Sequence, residues 1–154
     1  MTNWKKSRKI VTVTCKACGK VFEKVKTEYN KTELKSDHHY CSRNCYGKDK
    51  TQLMFNKIEN GDTSFSSDSY KKYLIKKFGN KCMKCGWSEI NPITGLIPIQ
   101  LEHKDGNSEN HKLNNLELLC PNHHSLTPTY GALNKGNGRE KRKLKWRKKF
   151  HNLQ

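Results

Sequence analysis

The spacing of the cysteines constrains this chain more than any other feature of its sequence. Six of the seven cysteines form close pairs, and the seventh is followed by a histidine three positions later. In chain order these residues are Cys15 and Cys18, Cys41 and Cys45, Cys82 and Cys85, and Cys120 with His123. Glycine follows Cys18 and Cys85, which is typical of a tight turn that directs two thiolates at one ion. The spacing therefore predicts metal-binding clusters in place of disulfides.

These residues divide into two structural zinc sites that together use every cysteine. The first site is predicted to consist of Cys15, Cys18, Cys41 and Cys45. The second is predicted to consist of Cys82, Cys85, Cys120 and His123. His38 or His39 is an alternative ligand in the first site, and His124 is an alternative in the second. Because four protein ligands leave no open position for water, neither site is expected to be catalytic.

The composition agrees with a fold that depends on bound metal. The chain has 154 residues, of which 32% are hydrophobic, so burial alone provides little stabilisation. Alternating residues predict a strand at Ile10–Thr14, and helical spacing predicts a helix over residues 68–78 that ends at Gly79. An extended segment is expected over residues 96–103, and residues 116–119 lead into a short helix that begins at Pro121. The expected fold class is a small α+β protein stapled by metal.

Four segments are expected along the chain. A basic arm and a zinc-knuckle module occupy residues 1–46. A connector spans residues 47–65 and includes a short helix near residues 53–58, ended by Gly61. A second module covers residues 66–134, and a basic tail covers residues 135–154. Each predicted zinc site then lies within one module.

The charge of the chain indicates the kind of partner that it binds. The formal net charge is +17, from 31 lysines and arginines against 14 acidic residues. Such an excess favours a polyanionic partner, because each phosphate that is neutralised releases counterions. No apolar run is long enough for a transmembrane helix, and residues 1–10 do not resemble a signal peptide. Nucleic acid is the expected partner, no membrane is expected, and the expected location is the cytoplasm, where thiols stay reduced.

Two stretches of the second module carry candidate catalytic residues. One reads Leu101-Glu102-His103-Lys104-Asp105-Gly106-Asn107, and the other runs from Asn115 through Cys120-Pro121-Asn122-His123-His124 to Thr127. With Thr129-Tyr130-Gly131 and Asn134-Lys135-Gly136, they resemble the HNH endonuclease family, in the zinc-bearing branch common among phages and mobile elements. The resemblance covers residues 66–139.

The resemblance implies a C-terminal ββα-metal domain, with a treble-clef-like architecture, in which two strands and a helix hold one divalent ion. It implies that His103 is the general base and that Asn115 steadies the loop carrying this base. It also implies that Glu102 and His124 are ligands of the catalytic ion. Glu102 stands where the family more often has aspartate or histidine. One carboxylate with one imidazole favours Mg²⁺ or Mn²⁺ over Zn²⁺.

The chemistry of these side chains fits hydrolysis of a phosphodiester. A neutral imidazole, with an unperturbed pKa of about 6.5, takes a proton from water readily near neutral pH. Successive strand residues point to opposite faces, so Glu102 and His103 are expected to share a site only if the Asp105-Gly106 turn distorts the strand. Two alternatives stay open: Glu102 as a solvated strand residue, and His103 as a structural hydrogen-bonding residue. His111 is expected at the surface.

The last segment combines basic and aromatic residues. From Lys135 onward it contains nine basic residues and one acidic residue, with Trp146 and Phe150 among them. A basic helix along phosphates and an unstructured basic tail both fit this pattern. The candidate DNA-binding residues are Arg139, Lys141, Arg142, Lys143, Lys145, Arg147, Lys148 and Lys149.

The function expected from the sequence is metal-dependent cleavage of double-stranded DNA. The resemblance implies an HNH endonuclease with a one-metal mechanism, two structural zinc ions and one catalytic divalent ion. A noncatalytic zinc-finger DNA-binding protein is the alternative, because the charge of +17 and two zinc sites would suffice for binding. That alternative leaves without a role the residues Glu102, His103, Asn115 and His124.

Overall fold

The computed structural model describes residues 9–135 together with Leu144 and Arg147. The chain divides into two compact units, Met1–Asn56 and Lys57–Gln154. This division lies within the predicted connector, residues 47–65. None of the helices in the part of the chain that the structure describes is long and apolar enough to cross a bilayer.

The first unit begins with a β-hairpin. Strand β1 (Ile10–Thr14) pairs antiparallel with strand β2 (Val21–Val25). Helix α1 (Lys26–Glu33) follows at once, and helix α2 (Arg43–Glu59) starts after a loop. Strand β1 confirms its prediction, whereas β2 and α1 were not predicted. Helix α1 buries no residue, so it lacks the apolar periodicity by which a helix is recognised in a sequence.

The buried core of the first unit is very small. Among its described residues only Val13, Cys15 and His39 are buried. The Cys15 turn closes on itself, since the N–H of Gly19 donates to the C=O of Cys15 at 2.8 Å. The N–H of Lys16 donates to the C=O of His39 at 2.9 Å, which brings the loop before α2 against this turn. With so few apolar residues inside, burial contributes little to the stability of this unit.

Helix α2 is much longer than the short helix predicted near residues 53–58. It begins at Arg43, ends at Glu59, and is followed by Gly61, which has a φ of +88°. Gly61 thus lies at the predicted stop. The first half of the helix was missed because Ile58 is the one buried residue of α2, which leaves little apolar pattern to follow.

Helix α3 (Ser67–Phe78) forms one side of the core of the second unit. It confirms the helix predicted over residues 68–78 and ends at Gly79, which has a φ of +88°. The buried side chains of this helix are Tyr70, Tyr73 and Leu74. The Tyr70 hydroxyl donates to the C=O of Asp62 at 2.6 Å, which ties the helix to the loop before it.

A two-stranded antiparallel sheet packs against this helix. Strand β3 (Gln100–His103) pairs with strand β4 (Leu116–Leu119), so that Glu102 lies opposite Glu117. No pattern in the sequence had indicated β4, and the segment predicted over residues 96–103 is a strand only from Gln100 onward. Pro98 has no N–H group to donate to a ladder, which explains the later start.

A short helix follows β4 directly. Helix α4 (Pro121–Ser125) has Pro121 in its first turn, as predicted, and Cys120 at its N-cap. The Sγ of Cys120 accepts the backbone N–H of His123 at 3.5 Å. The elements β3, β4 and α4 thus follow one another along the chain, and the whole is a small α+β fold with two cysteine clusters.

Candidate functional site

Two clusters of potential metal ligands lie where the cysteine spacing predicted them. One groups Cys15, Cys18, Cys41 and Cys45, and the other groups Cys82, Cys85, Cys120 and His123. Within each cluster the ligand atoms all lie within 4.8 Å of one another. Each cluster could therefore hold one metal ion.

The distances within the clusters match tetrahedral coordination. With Zn–S bonds of about 2.3 Å, the sulfur atoms of a tetrahedral site lie about 3.8 Å apart. In the first cluster, the Sγ of Cys41 lies 3.6 Å from the Sγ of Cys18 and of Cys45. In the second, the Sγ atoms of Cys85 and Cys120 are 4.0 Å apart. Both clusters have the dimensions of a zinc site before any rearrangement.

The structure places His123, and not His124, in the second cluster. The Nδ1 of His123 lies 3.6 Å from the Sγ of Cys82 and 3.3 Å from the Sγ of Cys120. His124 points away from this cluster, as its contact with Glu102 shows below. In the first unit, His39 bonds instead to the Oε1 of Glu33 at 2.8 Å.

Backbone N–H groups favour the thiolate form of the most buried cysteine in each cluster. Burial acts to raise the pKa of the Cys82 thiol, but the backbone N–H groups of Cys120 and Cys85 outweigh it, and the pKa falls to about 6. A similar balance lowers the pKa of Cys15 to about 6. The thiolate, which is the form that binds metal, is therefore favoured at Cys15 and Cys82.

A separate cleft of about 190 Å³ opens at the end of β3. The polar side chains that line it include Glu102, His103, His124, Thr129 and Asn134. Three of the four residues expected to carry the chemistry therefore lie on one cleft. The fourth, Asn115, does not line it.

A carboxylate and an imidazole meet in this cleft. Glu102 is only 7% exposed, and its Oε2 lies 3.1 Å from the Nε2 of His124. Its Oε1 accepts a hydrogen bond from the Oγ1 of Thr129 at 2.6 Å. Two ligands at right angles around an octahedral ion, each about 2.1 Å from it, lie about 3 Å apart. The separation suits two ligands of one divalent ion as well as the direct contact that the two side chains make.

His103 reaches the same cleft from the last position of β3. Its Nε2 is buried and has no hydrogen-bond partner among the residues that the structure describes. Burial lowers the pKa of His103 below its ordinary value, and the nearby imidazole of His111 adds to this effect. The ring is therefore neutral at neutral pH, the state in which an imidazole can accept a proton.

Glu102 and His103 share a cleft although they leave β3 on opposite faces. Glu102 contacts His124 on one side, and the ring of His103 lies 5.3 Å from that of His111 on the other. The strand is not distorted, contrary to expectation, since His103 still pairs with Leu116. The chain turns immediately afterwards, and the cleft extends around the end of the strand.

Asn115 holds the loop that follows His103. Its Oδ1 accepts the backbone N–H of Asp105 at 3.0 Å, and its Nδ2 donates to the Oδ1 of Asp105 and to the C=O of Asn110, both at 2.9 Å. Burial acts to raise the pKa of Asp105, but hydrogen bonds from Asn110, Asn107 and Asn115 outweigh it and lower the pKa. The charged carboxylate thus anchors a loop whose backbone begins at the strand end.

Comparison with known proteins adds a nuclease relative. Over 57 residues, the chain is 49% identical to the H-N-H endonuclease F-TflIV of Escherichia phage T5. This match supports an HNH endonuclease family assignment. The aligned segment is 37% of this chain and 24% of the relative, so the chain spans about a quarter of the relative's length. No family model matches the chain, and no solved structure matches it.

Three residues in or beside this cleft were not predicted from the sequence. Thr129 and Asn134 lie in the stretches that carry the resemblance, but nothing in their spacing indicated contacts with Glu102 or with the loop. His111 was expected at the surface; it is half-buried, and its ring stacks on the buried Tyr70 with centroids 4.8 Å apart. These contacts join residues far apart in the sequence, so no local pattern reports them.

Most of the predicted DNA-binding residues cannot be placed in this fold. Arg147 is described as helical and exposed, as is Leu144. The other candidates lie outside the described residues: Arg139, Lys141, Arg142, Lys143, Lys145, Lys148 and Lys149.

Gly106, in the turn after His103, is enclosed on the side of the cleft. It has a φ of +73°, and its C=O accepts the Nδ2 of Asn134 at 2.8 Å. A Cβ at this position would lie 2.8 Å from the Cγ2 of Thr129 and closer still to the Oδ1 of Asn134. Glycine is therefore required here for its backbone conformation and for space.

Replacing Gly106→Ala should destabilise the second unit more than replacing Gly95→Ala. Gly95 has a φ of +67° with nothing within 4 Å of an added Cβ, so its variant carries the backbone strain alone. Overpacking at Gly106 should add a loss of about 1–3 kcal/mol in the free energy of unfolding, measured in urea. Equal losses in the two variants would show that the contacts with Thr129 and Asn134 do not restrict this turn.

Proposed function

We propose that this chain is a metal-dependent endonuclease that hydrolyses phosphodiester bonds of double-stranded DNA in the cleft lined by Glu102, His103 and His124. The observation that carries the proposal is the 3.1 Å approach of Glu102 to His124 on the cleft that His103 also lines. The similarity to the phage T5 H-N-H endonuclease supports a nuclease in general. The net charge of +17 supports a polyanionic substrate.

Glu102 and His124 would hold one divalent ion, Mg²⁺ or Mn²⁺. Such an ion, when bound, supplies charge neutralisation on the phosphate and on the leaving oxygen. The hydroxyl of Thr129 occupies one carboxylate oxygen of Glu102, which leaves the other directed at His124. The ring of Tyr130 meets His124 edge to face, with centroids 5.3 Å apart, and so fixes the plane of this imidazole.

His103 would act as the general base. Because its Nε2 is enclosed, Nδ1 is the nitrogen that would take a proton from water. The water oxygen bonds to phosphorus, the bond from phosphorus to the 3′ oxygen breaks, and that oxygen takes up a proton from solvent. The products are a 5′-phosphate and a 3′-hydroxyl. Asn115 would keep the loop after His103 fixed during this step, through its bonds to Asp105.

The two cysteine clusters would each hold a structural zinc ion. In the first unit, the described residues bury little besides Val13 and Cys15, so an ion would replace the missing core. In the second unit, the cluster joins the turn at Cys82 to the start of α4, which carries His124. Zinc in this cluster would therefore hold one half of the candidate catalytic ion site in place.

The purified protein should contain two zinc ions per chain, and loss of one ligand should remove one of them. Cys18→Ser and Cys85→Ser are suited to this test, because both cysteines are exposed and the substitution changes little packing. Mass spectrometry of the metal content should give about one zinc in each variant, with a lower melting temperature. Ala17→Ser, beside a predicted ligand, should keep both ions. Full zinc content in a cysteine variant would remove that residue from its site.

The nuclease proposal is tested by cleavage of supercoiled plasmid. Relaxation or linearisation should require added Mg²⁺ or Mn²⁺ in protein whose zinc content has been verified. His103→Ala should slow cleavage by about 10²-fold or more, since general base catalysis contributes that much, while DNA binding in a gel-shift assay stays unchanged. His38→Ala, which removes a half-exposed histidine of the first unit, is the matched control and should cleave normally.

The outcomes separate the nuclease from its rival. Cleavage by His103→Ala at the rate of the parent protein would remove His103 as the base. Tight DNA binding without cleavage, across several metals and DNA sequences, would favour a noncatalytic zinc-finger DNA-binding protein.

A further inference from the structure

No hydrogen bond from the described residues to Nε2 orients the ring of His103. The ring contact recorded for His103 is with the imidazole of His111, with centroids 5.3 Å apart and planes tilted by 54°. The loop contacts of Asn115 fix backbone after His103, but they do not touch its side chain. Ring packing is therefore the observed restraint on this imidazole.

His111 is itself fixed on its other side by α3. Its ring stacks on that of Tyr70, with centroids 4.8 Å apart and planes within 17°. Its Nε2 lies 3.1 Å from the Oγ of Ser67. Tyr70 is 1% exposed and is tied by its hydroxyl to the C=O of Asp62, so it cannot move without opening the core. His111 is thus held between the end of β3 and the first turns of α3.

We propose that His111 is a positioning residue, whose ring packs against the imidazole of His103 and keeps it directed at the cleft. The proposal rests on the proposed function, in which His103 is the base. His111 does not line the cleft, so it would act through His103 and not by touching the ion or the substrate.

The physical reason is that a base must lie within hydrogen-bonding reach of the proton that it takes. The backbone of His103 is fixed by strand pairing with Leu116, yet two side-chain torsions remain free to rotate the ring. The ring of His111 on one side excludes the orientations that turn the His103 ring away from the cleft. Misplacement of a reacting group by about 1 Å can lower a rate by about 10²-fold.

Two substitutions distinguish positioning of His103 by the His111 ring from a merely structural role of His111. His111→Ala removes the ring that packs against His103. As a result, kcat for plasmid cleavage should fall by about 10²-fold, while KM and the affinity for Mn²⁺ stay unchanged. His111→Phe keeps a flat ring against Tyr70 and His103, so it should restore most of kcat although it cannot bond to Ser67. Lys112→Ala, an exposed neighbour, is the matched control and should match the parent.

An NMR measurement with labelled histidine tests the contact independently of cleavage. Ring protons of His103, assigned by their loss in His103→Ala, should show contacts to the His111 ring, and their signals should move in His111→Ala but little in His111→Phe. A parent protein that cleaves no DNA would overturn the proposed function, while these spectra would still report on the contact between the His103 and His111 rings. The positioning role of His111 is overturned if His103 signals and kcat are unchanged in His111→Ala, or if His111→Phe is as impaired as His111→Ala.

Discussion

The convergence of Cys120 and His123 on the Cys82 turn is the constraint on which the candidate site depends. Helix α4 has five residues, too few to be stable without tertiary support. The N–H of Met83, within the Cys82 turn, donates to the C=O of Leu118 at 2.8 Å, so the turn is attached to β4. With His123 directed into the cluster, the next residue along α4, His124, is directed at Glu102. A structural cluster and a candidate catalytic pair thus share one short helix.

Buried polar groups of several kinds lie together in the cleft. A carboxylate as buried as Glu102 costs free energy unless it is paired, and its partners are His124 and the hydroxyl of Thr129. Among the described residues, two buried side-chain atoms lack any partner, Nε2 of His103 and Oδ1 of Asn134, and both residues line this cleft. Buried polar atoms without a partner are unusual in a purely structural site.

The sequence predicted what short-range spacing controls. The cysteine pairs, the helix over residues 68–78, strand β1 and the start of α4 follow from local patterns, and the structure confirms them. Helix α1 and the first half of α2 were missed, because almost nothing on them is buried. The packing of His111 was missed for a different reason. Its neighbour Tyr70 is 41 positions away, and no periodicity relates a polar loop to the helix that it packs on. Residue roles in the cleft stay predictions.

In the proposed function, Glu102 and His124 together bind a divalent ion beside His103. Anomalous diffraction from crystals of the zinc-loaded protein soaked in Mn²⁺ tests it most directly. We expect one manganese peak within coordination distance of the Oε2 of Glu102 and the Nε2 of His124, apart from both cysteine clusters. Saturating Mn²⁺ that binds elsewhere, with Glu102 and His124 still in direct contact and no ion between them, would contradict it.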